Sequence, residues 1–101
     1  GVLLGGTVGV SGGDVVIVGA GVAGRAACNH AIGLGANVTV LDINYMSLEK
    51  LKVQFGNVVN TSIANRATLE AACRRADLLI GAVLIPGAAA PKIITRAWFS
   101  R

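Results

Sequence analysis

Three glycines stand at G-x-G-x-x-G spacing in the stretch DVVIVGAGVAGRAA: Gly19, Gly21 and Gly24. A turn of this kind can cradle phosphate through main-chain N–H groups, with no cationic side chain required. Glycine is needed first for a tight turn, second for close approach of a pyrophosphate, and third for close packing of a helix on a strand. The spacing alone is weak evidence in a chain with 14 glycines among 101 residues. Its surroundings sharpen it. The β-branched run Val15 to Val18 precedes the turn, a segment of helical period opens at Val22, and Asp42 follows the next apolar run. An acid about twenty residues beyond the turn is placed to accept hydrogen bonds from a ribose, and its charge would repel a 2′-phosphate. The amides near Val22 and Ala23 would face the phosphates, so the chemistry pointed to is capture of a dinucleotide, with NAD favoured over NADP. Close packing of the glycines with Asp42 as a mere helix cap, or an FAD or S-adenosylmethionine fold sharing part of the pattern, are the competing readings.

The elements that must hold these residues alternate between apolar runs and helical periods, the pattern of a parallel α/β sheet. Strands are expected at Val15 to Val18, Asn37 to Leu41, Val58 to Thr61 and Leu78 to Val83. Helices are expected from Val22 to Leu34, after an Asn44 N-cap up to Gly56, and from a cap at Asn65 or Thr68 to Arg75. In the second helix Tyr45, Leu48, Leu51 and Phe55 form the inward stripe; in the third, Leu69, Ala72, Cys73 and Ala76 do so. IPGAAAPK reads as a loop, and Ile93 onward as the start of another helix. Right-handed crossovers then give a Rossmann-type doubly wound parallel sheet of strand order 3-2-1-4.

Composition agrees with such a sheet. Hydrophobic residues make up 53% and charged residues 14% of the chain, as suits strands covered on both faces. The length allows one domain. The uncharged apolar runs 1–13 and 78–91 fall short of the roughly twenty apolar residues of a membrane span and are broken by Gly or Pro, so no membrane association is expected. The formal net charge of +4 comes from scattered Lys and Arg, and the aromatics Tyr45, Phe55, Trp98 and Phe99 are not interleaved with them. Nucleic-acid binding is therefore not expected. Cys28 and Cys73 have neither CxxC spacing nor a His cluster, so no metal site is expected; reduced, half-buried thiols point to the cytoplasm. His30 and Lys92 read as a helix-surface and a loop residue, and no catalytic group is assigned.

GVLLGGTVGV, AIGLGANVTVLDIN and RRADLLIGAVLIPGAAAPKIITR, together with the glycine turn, resemble the NAD-binding domain of the alanine dehydrogenase/transhydrogenase family over nearly the whole chain. GAVLIPG followed by APK is the most specific element. LDIN and GAVLIPG favour alanine dehydrogenase over the NAD-binding component of proton-translocating transhydrogenase. The resemblance implies NAD as cofactor, with contacts at Gly19, Gly21, Val22, Ala23, Gly24, Asp42 and Ile43, and with Val83 and Leu84 beside the ribose and nicotinamide half. It implies a parent enzyme that deaminates L-alanine oxidatively to pyruvate and ammonia and forms homo-oligomers.

Family members often carry a basic residue where this chain has Ser47 and a serine where it has Ala64. Each absence would weaken adenosine binding by ~0.5–1.5 kcal/mol. The family's catalytic lysine and histidine lie in a separate substrate domain, and its aspartate lies further downstream; none maps onto this chain. The resemblance thus implies a fragment, with the sheet truncated at its C-terminal half: the end of an interdomain connecting segment over residues 1–13 and an incomplete NAD-binding domain over residues 14–101, able to bind nucleotide but not to catalyse. A free-standing, non-catalytic nucleotide-binding module is the alternative.

Overall fold

A computed structural model describes residues 13–85 and 92–99. The elements run β1 (Asp14–Val18), α1 (Val22–Gly33), β2 (Asn37–Asp42), α2 (Tyr45–Phe55), a short 3-10 turn (Gly56–Val58), β3 (Val59–Ile63), α3 (Arg66–Arg75), β4 (Leu78–Ile85) and β5 (Lys92–Phe99). Strand order is β3-β2-β1-β4-β5. The first four of these strands are parallel, as the alternating sequence pattern requires. β1 lies at the centre, with Val18 level with Leu41 on one side and Gly81 on the other.

The two-residue period of β1 divides the core. Val15 and Ile17 point to one face, where they meet Cys28 and Ala31 of α1, Leu48 and Leu51 of α2, and Val38, Val40 and Val59 of the neighbouring strands. Val16 points to the other face with Leu41, Ala72 and Ala76, so α3 covers that side. Helices on opposite faces explain why β1 carries no polar alternation: both of its surfaces are buried. Ile17, Leu51 and Val59 are wholly inaccessible. Truncating any such side chain to alanine typically removes ~2–5 kcal/mol.

Local signals set the ends of the elements. Asn44 caps α2 by accepting from the amides of Met46 and Ser47, and Gly56 closes it. At α3 both expected candidates take part, since Asn65 is the cap and Thr68 returns a bond to the Asn65 amide in a capping box. The starts of β1 and β4 are tied together, with the Asp14 amide donating to Asp77 Oδ2 at 2.9 Å and the Asp77 amide to the Asp14 carbonyl at 2.8 Å.

Four expectations are corrected. Ile93 onward is not a helix but lies within β5, antiparallel to β4, with Leu78 opposite Phe99 and Ile85 opposite Lys92. Ile93, Ile94, Thr95, Trp98 and Phe99 are all of strand-favouring type, and β4 offers a free edge for them to pair with. Tyr45, the first residue of α2, is 60% exposed rather than part of the inward stripe, which begins at Leu48. Cys73 is exposed and Cys28 fully buried, so neither thiol is half-buried. Of the loop expected over residues 85–92, Ile85 instead ends β4 and Lys92 begins β5 opposite it; residues 86–91, and residues 1–12 of the expected connecting segment, lie outside the described residues.

Candidate functional site

The carboxyl ends of the parallel strands converge on the turn between β1 and α1. β2 and β3 lie to one side of β1 and β4 to the other, so the chain reverses its direction of progress across the sheet beside this turn. In open α/β sheets ligands bind in the crevice at such a switch point.

Each glycine of the turn has a distinct local reason. Gly19 has φ 111°, a left-handed conformation that a side chain rarely adopts, and its amide donates to the Leu41 carbonyl at 2.7 Å. A Cβ on Gly24 would overlap the Gly19 carbonyl oxygen, so this position serves close packing of α1 on the turn. Gly21 differs from both. Its φ of −75° suits any residue, and a Cβ there would meet no protein atom within 4 Å. Neither φ nor a steric conflict requires a glycine at 21, and the space in front of the turn is open there.

That space is bounded by the start of α1. Gly21 is its N-cap and supplies no side-chain hydrogen bond, and the first turn contains no acidic residue. Within Val22 to Gly24 the amides precede the first i→i−4 bond, which is donated by Arg25 to the Gly21 carbonyl at 2.8 Å. These orphan donors at the positive end of a helix dipole are suited to an anion. α2 and α3, by contrast, are capped by asparagine side chains.

Asp42 ends β2 beside the same turn. Its Oδ2 accepts from the Ala20 amide at 2.7 Å and its Oδ1 from the Asn44 amide at 2.8 Å. The carboxylate thus fastens the glycine turn to the end of β2. A carboxylate offers about four acceptor positions, so two protein bonds leave room for two further donors. Ile43 and Val22 flank the space as apolar side chains, 83% and 71% exposed.

The structure therefore brings the β1–α1 turn, with Gly19, Gly21, Val22, Ala23 and Gly24, beside Asp42 and Ile43 at the end of β2. Val83 and Leu84 lie on β4 beyond Gly81, the partner of Val18, and hence at the same carboxyl edge. His30 is in the last turn of α1, about 12 Å along the axis from Val22 at 1.5 Å per residue. It is exposed and outside the crevice. Ser47 is in the first turn of α2 with its amide on Asn44 Oδ1 at 3.2 Å. Ala64 follows β3, its amide donating to the Asp42 carbonyl at 2.9 Å.

Sequence reasoning did not anticipate the bond from the Ala20 amide to Asp42. No local signal announces it, because the partners are 22 residues apart and meet only when β1 and β2 pair. Among the described residues no cluster of His, Cys, Asp or Glu is placed to hold a metal, and no helix is long and apolar enough to cross a membrane.

Comparison with known proteins gives one consistent picture. Residues 1–101 match the family described as "Alanine dehydrogenase/PNT, C-terminal domain". The chain is 47% identical over 97 residues to an alanine dehydrogenase of Mycolicibacterium smegmatis, covering 96% of this chain and 26% of that protein. It is 50% identical over 95 residues to an alanine dehydrogenase of Methanococcus maripaludis, covering 94% of this chain and 26% of the relative. A solved L-alanine dehydrogenase superposes with a TM-score of 0.76 at 49% identity, covering 86% of this chain and 24% of that one. The chain thus spans about a quarter of the length of the relatives it matches.

Proposed function

Because the chain belongs to the alanine dehydrogenase/PNT C-terminal domain family, we propose that its crevice binds NAD(H), as the nucleotide-holding part of an enzyme that oxidatively deaminates L-alanine to pyruvate and ammonia. The observation that carries this reading is the open space before Gly21 at the start of α1, where a Cβ would meet no protein atom and a pyrophosphate can approach the backbone. The uncapped start of α1 supports it, since a pyrophosphate supplies the acceptors that those amides lack.

In this reading the turn from Gly19 to Gly24, with the amides of Val22 and Ala23, holds the pyrophosphate. Asp42 accepts both hydroxyls of the adenosine ribose on its two remaining acceptor positions while keeping its bonds to Ala20 and Asn44. Ile43 covers the adenosine, and Val83 and Leu84 border the ribose and nicotinamide half. NAD, when bound, supplies a hydride acceptor. The residues of this chain bind it, orient it and select it against NADP through the charge of Asp42. The groups that move protons on the amino acid belong to a substrate domain elsewhere in the parent protein, which we take to be a cytoplasmic homo-oligomer. Alanine dehydrogenase is preferred to transhydrogenase because the relatives above bear the former name at 47–50% identity.

Isothermal calorimetry with NADH tests this directly. One saturable site is expected, weakened at least ten-fold by Asp42→Ala. Binding unchanged in that variant would remove Asp42 from the ribose, and absence of any saturable heat would overturn the reading.

A further inference from the structure

The helix starts next to the crevice are not equally available to a phosphate. That of α1 is bare, whereas that of α2 is stoppered by Asn44, whose Oδ1 accepts from Met46 N at 2.9 Å and Ser47 N at 3.2 Å. The main-chain amide of the same Asn44 donates to Asp42 Oδ1 at 2.8 Å. One residue therefore both orients the carboxylate and closes the neighbouring helix end.

Given the site as read above, a phosphate on the 2′ position of the adenosine ribose would extend past Asp42 toward the start of α2. Free amides at a helix N-terminus are a common protein answer to such a group. Here those of Met46 and Ser47 are already engaged by Asn44 Oδ1. No Lys or Arg stands in the first turn of α2, over residues 45–48, to substitute for them, and Glu49 follows on the next turn. The charge of Asp42 is thus one of two barriers.

We propose that Asn44 is a specificity-determining residue, which excludes 2′-phosphorylated dinucleotides by occupying the Met46 and Ser47 amides at the start of α2. The proposal rests on the reading of this crevice as a dinucleotide site. It separates two accounts of selectivity. If Asp42 alone discriminates, removing its charge suffices to admit NADPH; if Asn44 also does so, the amides must be freed as well.

The experiment titrates the chain and its Asp42→Ser, Asp42→Ser/Asn44→Gly and Asp42→Ser/Asn44→Ser variants with NADH and with NADPH by calorimetry. Glycine is tolerated at an N-cap, so α2 is expected to persist, as circular dichroism will report; serine still caps. The Asn44→Gly double variant is expected to bind NADPH at least ten-fold more tightly than Asp42→Ser does, while the Asn44→Ser double variant shows no such gain. Equal NADPH affinity in all three variants would overturn the role of Asn44. Loss of helix content in the glycine variant would do so too, because Asn44 would then serve the helix rather than ligand choice. A wild-type chain that binds NADH alongside a glycine variant with no gain condemns this inference alone. A wild-type chain that binds no NADH removes the site reading and this inference with it.

Discussion

Replacing Gly24 by alanine sets two effects of opposite sign against each other. Gly24 occupies the first turn of α1, where alanine is favoured over glycine by ~1 kcal/mol on propensity. Its new Cβ, however, would overlap the Gly19 carbonyl oxygen and lie 2.7 Å from the Gly19 carbonyl carbon. Those are backbone atoms in a turn already anchored to Leu41 and, through Ala20, to Asp42, so they cannot swing aside as a flexible side chain would. Overpacking of this kind costs ~1–3 kcal/mol, and the direct backbone overlap puts it at or above the upper end. The net expectation is a loss of ~2 kcal/mol, or a fall in Tm of about 10 °C for a domain of this size. Gly33→Ala supplies the control. It lies at the end of the same helix with no atom within 4 Å of its Cβ, and should gain up to ~1 kcal/mol. Urea unfolding followed by circular dichroism measures both. A Gly24→Ala protein as stable as wild type would refute the packing role given to that glycine.

Other consequences follow from the same contacts. Asn65→Ala removes the acceptor for Thr68 N at 2.9 Å and should cost ~1 kcal/mol, read as a shift of the urea midpoint. In the native protein a thiol reagent should label Cys73 rapidly and Cys28 only after unfolding; equal rates would contradict the burial of Cys28. Burial raises the Cys28 thiol from 9.0 to about 11. The folded state therefore holds that proton more tightly than the unfolded chain. Its contribution is complete below pH 9 and is lost as pH climbs from 9 toward 11. Unfolding curves across that range should show stability falling, with a shallower decline in Cys28→Ala.

Much of this was legible because local chemistry and global topology agree. Asn44 and Gly56 bracket α2 as their residue types announce, and the unbroken β-branched run in β1 marks a strand covered on both sides. The strand order through β4 follows from the alternation of elements. What the residues did not disclose depends on neighbours in space. Tyr45 continues the helical stripe of α2 yet stands exposed at the helix start. Cys73 adjoins the narrow contact that Leu69, Ala72 and Ala76 make with the second core face, but it turns to solvent. The strand β5 exists because β4 has an edge to offer, which a helix-or-loop reading of residues 86–101 does not weigh. The glycine turn itself was readable, but the fastening of Ala20 to Asp42 was not, since it requires β1 and β2 to be paired first.

Gly21 tests the central claim most directly, because neither its φ nor any neighbouring atom forbids a side chain there. Gly21→Ala should cost no more than ~1 kcal/mol, the preference for glycine over alanine at an N-cap, since its φ is ordinary and its Cβ meets nothing. On the proposed reading the same methyl would stand where the pyrophosphate approaches. Calorimetry should therefore show NADH affinity reduced at least ten-fold in a protein that remains folded. Undiminished NADH binding by Gly21→Ala would contradict the assignment of this turn as the dinucleotide site.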